Sequence, residues 1–112
     1  MQLEGSQEVP AVQTETQGTA ILRVTADKKL HSKVIIQKLA VGDALRFGHI
    51  HLGAAGFNGP VRINLVPTPA DFGENKELQL TDLQFTLITT AAVYVNVHSN
   101  FFPAGIVRGQ IR

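Results

Sequence analysis

Three of the chain's four histidines sit in two short segments far apart in sequence: Gly48-His49-Ile50-His51-Leu52-Gly53 and Tyr94-Val95-Asn96-Val97-His98. Side chains alternate across a β-strand, so if both segments are strands, His49 and His51 project from one face with Ile50 turned inward between them. His98 lies on the face opposite Val93, Val95 and Val97. Three imidazoles on one sheet face form a natural ligand set for a transition metal. Neutral imidazole suits Cu, Zn, Ni or Fe, and three protein ligands leave a position open for water, an anion or a substrate. Affinity along the divalent series peaks at copper, which makes Cu the favoured ion and Zn the alternative. Partners for the unused ring nitrogens are expected from Asn96, Tyr94 and the backbone carbonyls of the glycine-rich loop that follows His51. The competing reading is an exposed strand whose histidines merely hydrogen-bond nearby loops.

The segments that must position these residues show a period of two. In Thr19 to Thr25, Ala20, Leu22 and Val24 fall on one face; Asp27-Lys28-Lys29 is a polar turn, and Leu30 to Leu39 returns with Ser32, Val34 and Ile36 inward, a β-hairpin pattern. Arg46 to Leu52 forms a further strand. Gly53 to Pro60 is a glycine-rich loop carrying the turn signal Asn58-Gly59, and Val61 to Leu65 alternates as a return strand ended by Pro67 and Pro69. Ala70 to Lys76 reads as loop, and Leu78 to Leu80 as a short strand. Thr81 suits a helix N-cap, but Phe85 to Thr90 is rich in β-branched residues, so the segment is left open between helix and strand. At the end of the chain, Val93 to His98 and Ile106 to Ile111 pair as an antiparallel hairpin if Asn96 lies opposite Arg108. In that register Val93, Val95, Val97, Val107 and Ile111 face inward, while Tyr94, Asn96, His98, Arg108 and Gln110 share the outer face; a slip of one residue destroys the separation. Short strands with Gly and Pro turns predict an all-β fold, an antiparallel Greek-key or immunoglobulin-like sandwich or barrel with little or no helix.

Composition narrows the function. At 112 residues the chain fits one domain, 1–112, with a core of its own. The formal charge is +1 and the basic residues are scattered, which gives no footprint for nucleic acid. Cysteine is absent, so there is neither a disulfide framework nor a thiolate ligand or nucleophile. No apolar run approaches the ~20 residues of a membrane span, and Met1 to Gly5 shows no secretory leader pattern. Serine catalysis has no nucleophile-elbow pattern around Ser6, Ser32 or Ser99. The 53–59 loop lacks the Lys-Ser/Thr ending of a phosphate loop. His31, in a Lys-rich turn, reads as a surface histidine. Asp71 is a further carboxylate ligand if its loop folds over the histidine face, and Glu8 is placed to salt-bridge Arg108. Of the neighbouring aromatics Phe101 and Phe102, one is expected to cover the end of the fold and the other to remain free for a protein partner.

These residues resemble the CHRD domain, a family first named from chordin. Gly5-Ser6-Gln7-Glu8-Val9-Pro10 and Gly18-Thr19-Ala20 resemble its opening motifs, His49-Ile50-His51-x-Gly53 with Gly56-x-Asn58-Gly59-Pro60-Val61 its central one, and Tyr94-Val95-Asn96-Val97-His98-Ser99, Pro103-x-Gly105 and Arg108-Gly109-Gln110-Ile111 its last. One position departs: Ile106 stands where relatives usually carry an acid. The resemblance implies a β-sandwich, usually extracytoplasmic or secreted, without a settled activity. The growth-factor-binding modules of chordin are absent, so growth-factor antagonism is not implied. A shorter resemblance links His49-x-His51 and Val97-His98 to the copper-ligand strands of copper–zinc superoxide dismutases. It implies a copper site in which Arg108 guides an anion, although no fourth histidine has an obvious counterpart. The sequence thus supports first a non-catalytic module binding a metal through His49, His51 and His98, with no catalytic residue assigned. The alternatives are a metal-free structural or adhesive domain and a copper-dependent redox enzyme.

Overall fold

The structure, a computed structural model, describes residues 1–112. Its strands are β1 (Gln2–Glu4), β2 (Gln17–Val24), β3 (Lys29–Gln37), β4 (Leu45–Leu52), β5 (Val61–Val66), β6 (Lys76–Gln79), β7 (Val93–Ser99) and β8 (Val107–Gln110), with one helix, α1 (Asp82–Thr90). All eight strands belong to one antiparallel sheet in the order β5-β4-β7-β8-β1-β2-β3-β6. The all-β expectation holds. The architecture is a single sheet curled into a half-barrel, and its two halves share one cluster of 15 buried apolar residues. Leu30 and Val34 from one half enter the same core as Ile50, Ile63, Val95 and Val97 from the other.

Strand β1 joins the halves. Glu4 pairs with Arg108 on β8, Leu3 pairs with Gly18 on β2, and the Leu3 side chain is fully buried. The β2–β3 hairpin has the expected faces: Ala20 lies opposite Val34 and Leu22 opposite Ser32. Ala20, Ser32 and Val34 are buried, and Leu22, Val24 and Ile36 pack against the core. The terminal hairpin also adopts the anticipated register, Asn96 opposite Arg108 and Tyr94 opposite Gln110. Its outer face is nevertheless not a solvated one. All seven residues of β7 are buried, because loops fold over the polar side.

The open segment at 81–90 is helical. Thr81 Oγ1 accepts a hydrogen bond from the Gln84 backbone N–H at 3.1 Å, and Gln84 Oε1 accepts from the Thr81 N–H at 3.0 Å, a reciprocal capping box. The threonines that argued against a helix turn their hydroxyls back onto carbonyls one turn earlier, Thr89 onto Phe85 and Thr90 onto Thr86. Of two 3-10 turns, Gly5–Gln7 and Pro69–Asp71, the second occupies part of the segment read as loop. No helix is long and apolar enough to cross a membrane.

Candidate metal centre

Strands β4 and β7 bring the histidines together. His49 lies opposite Asn96, His51 opposite Tyr94, and Phe47 opposite His98. The ring centroids are 5.1 Å apart for His49–His98, 5.7 Å for His49–His51 and 6.0 Å for His51–His98. One nitrogen from each ring lies within 4.8 Å of the other two. Ile50, between the two β4 histidines, is fully buried on the opposite face, as period two requires.

Backbone carbonyls fix two of the rings. His51 Nδ1 lies 2.8 Å from the Gly59 carbonyl oxygen, and His98 Nδ1 lies 2.9 Å from that of Pro103. A carbonyl only accepts, so each Nδ1 carries the hydrogen and, in the neutral ring, each Nε2 keeps its lone pair. Both Nε2 atoms are buried without a partner, as is His49 Nδ1. Burial is also the main cause of the lowered basicity of all three rings. His49 is pushed down to about 4, with the charges of His98 and His51 adding to desolvation. His51 and His98 are lowered despite their carbonyl bonds, with Arg108 acting further on the first and Arg46 on the second. Neutral imidazoles with free lone pairs are the state a metal ion requires.

Tyr94 makes no hydrogen bond to a ring nitrogen, contrary to expectation, and acts instead by stacking and by holding the loop. It stacks on His51 at 4.9 Å with an interplanar angle of 8°, and its hydroxyl accepts from the Gly59 N–H at 2.9 Å. Gly59 cannot carry a side chain, because a Cβ there would overlap the Leu52 carbonyl oxygen. The other side of the cluster is closed by Phe47, whose ring lies 4.9 Å from both His49 and His98. Sequence reasoning missed Phe47, although it falls two residues before His49 on the same face. It also missed Pro103, whose carbonyl role carries no side-chain signal.

Arg108 is 1 % exposed. Its guanidinium donates to the Ala54 and Phe57 carbonyls at 3.0 and 2.9 Å, to Asn58 Oδ1 at 3.4 Å and to Gln110 Oε1 at 3.2 Å, and it lies 3.4 Å from the Tyr94 ring centre. It clamps the glycine-rich loop from the floor of a pocket also lined by Glu8 and Gln110, with almost none of its own surface exposed. The expected Glu8–Arg108 salt bridge is not formed: Arg108 is occupied by the loop, and Glu8 Oε2 is buried without a partner. Glu8 and Asn96 instead meet against Gly105, which at φ 135° has no room for a Cβ. Burial pushes the Glu8 carboxyl up to about 7, against the opposing charge of Arg108. Asn96 donates to the Ala104 carbonyl at 3.4 Å and makes no hydrogen bond to a histidine.

Asp71 is no part of the cluster. It is held by Thr68 and by Lys76 at 2.8 Å, capping the 3-10 turn. His31 lies on β3, 3.7 Å from Glu77 and away from the other histidines. Phe102 packs against the core while Phe101 stays 54 % exposed.

A family-level comparison matches the CHRD domain over residues 1–111. The chain belongs to the CHRD domain family. No curated protein and no solved structure matches it. The CHRD motifs meet around the histidines. Asn58 of the central motif donates to the Val9 carbonyl of the first at 2.7 Å, and Gln110 of the last donates to the Gly53 carbonyl at 2.8 Å. Ile106, at the position usually acidic, is fully buried in the apolar core, so no charge pairing arises there.

Proposed function

We propose that this CHRD domain is an extracytoplasmic module that binds one transition-metal ion through His49, His51 and His98, copper ahead of zinc. The supporting observation is the set of buried, unpartnered nitrogens: His51 Nε2, His98 Nε2 and His49 Nδ1. A buried polar atom left unsatisfied costs about 1–3 kcal/mol. Three in one place are a liability that a bound ion removes. The Gly59 and Pro103 carbonyls already hold two rings with their lone pairs free, so the side chains fit such an ion without a change of tautomer. Asn96, Tyr94 and Arg108 act on this centre by holding loops. The extracytoplasmic setting rests on the family. Binding is favoured over redox turnover of the superoxide-dismutase type because the Arg108 donors are spent on the 53–60 loop instead of being turned to an anion.

Thermal unfolding of metal-stripped protein with and without added Cu(II) or Zn(II) tests the proposal. A free ion at about 100 times its Kd stabilises the folded state by about 2.7 kcal/mol, a rise of roughly 10 °C or more in Tm for a domain of this size. His98→Ala should abolish the rise. An equal shift in that variant excludes the three-histidine centre.

A further inference from the structure

Two cations flank the histidines, each one aromatic ring removed. Arg108 lies 3.4 Å from the centre of the Tyr94 ring, and the opposite face of that stack is His51 at 4.9 Å. Arg46 lies 5.6 Å from the Phe47 ring centre, and Phe47 packs against His49 and His98. No carboxylate belongs to the cluster, which consists of three histidines alone. Asp43 and Glu8 stand outside the cluster, each with one buried carboxylate oxygen unpartnered. Asp43 accepts from the backbone N–H groups of Ala44 and Phe101, and Glu8 is turned to Asn96 and Gly105.

We infer that the centre discriminates by ion charge and oxidation state, holding monovalent Cu(I) in preference to Cu(II) or Zn(II). The inference rests on the metal-binding reading above and adds which ion the site selects. Three neutral imidazoles bring no negative charge to offset that of the ion. Repulsion from the two guanidiniums doubles for a dication, and the cost of moving an ion from water into a half-buried site rises more steeply still with its charge. Coordination number works in the same direction. Three nitrogens complete a trigonal site for Cu(I), whereas divalent ions seek a fourth ligand, and the side of the cluster between His49 and His98 is filled by the apolar Phe47 ring. An apolar wall of this kind restricts solvent and raises the reduction potential of a bound metal.

The test is anaerobic. Metal-stripped protein competes for Cu(I) against a chromophoric chelator, parallel competitions measure Cu(II) and Zn(II), and voltammetry gives the potential of the bound copper couple relative to copper in imidazole buffer. Cu(I) should be favoured over Cu(II) by about 100-fold more than in that buffer, a potential raised by about 120 mV. The exposed Arg46 offers a variant outside the ligand set. Arg46→Glu should narrow the preference by about tenfold, a fall of about 60 mV. Histidine-dependent binding of Cu(II) or Zn(II) with no raised potential overturns the inference and leaves the metal centre standing. An unchanged potential in Arg46→Glu overturns its electrostatic basis. Failure of all three ions to bind overturns the inference together with the metal reading.

Discussion

Glu8 and the clustered histidines have opposite effects on the pH dependence of the metal-free fold. The histidines titrate below their ordinary range in the folded state, so the unfolded chain takes up protons first as pH falls below about 6.5, and stability is lost from there downward. Glu8 behaves in the other sense. Its folded value of about 7 stands above the ordinary 4.5, so the stability it confers is complete below pH 4.5 and disappears as pH rises through 7. Glu8→Gln keeps a neutral group at that site. It should remove up to about 3 kcal/mol of pH-dependent stability between pH 4.5 and 8, read from urea unfolding at a series of pH values. Parallel profiles for the two proteins would show that Glu8 is not held in its neutral form. At this scale the sequence was legible for residues that alternate: His49, His51 and His98 share a face because their strands have period two. Phe47 obeys the same rule. The Glu8–Asn96 meeting at Gly105 joins three distant segments and has no local signature.

Among the elements, the 53–60 loop determines whether the centre is held in shape. Its Gly59 carbonyl orients His51, and the loop is tied down by the Tyr94 hydroxyl, Arg108 and Gln110. Tyr94→Phe deletes the hydroxyl and keeps the stack on His51. Stability should fall by about 1 kcal/mol, and metal affinity by about tenfold, the lower end of what loss of an outer partner costs a metal site. An affinity equal to wild type in the same competition assay would detach the loop from the centre. Arg108→Met leaves the Ala54 and Phe57 carbonyls without their donor and should cost about 3 kcal/mol in urea unfolding. The helix shows where composition misleads. Phe85 to Thr90 suits a strand by its β-branched content, yet the Thr81–Gln84 capping box and back-bonded threonine hydroxyls support a helix. Thr81→Ala should lower stability by about 1 kcal/mol, again measured by urea unfolding.

At the scale of the whole molecule, the period of two and the turn residues made the strands and the β2–β3 and β7–β8 registers readable. The curl of the sheet was not readable. It depends on β1, whose three residues pair with β2 while Glu4 also pairs with β8, a strand too short to show any period. The closure of loops over the polar face of β7 was equally hidden, because loops carry turn signals but no pattern that says what they cover. That closure turns an ordinary outward-facing histidine set into a buried one with unpartnered nitrogens. Calorimetric titration of metal-stripped protein with Cu(II) and then Zn(II), beside a His49→Ala/His51→Ala/His98→Ala control, tests the central claim most directly. A metal centre predicts one ion bound per chain and no binding in the control. No binding of these ions or of anaerobic Cu(I) by the parent protein, or the same heat in both proteins, would contradict it.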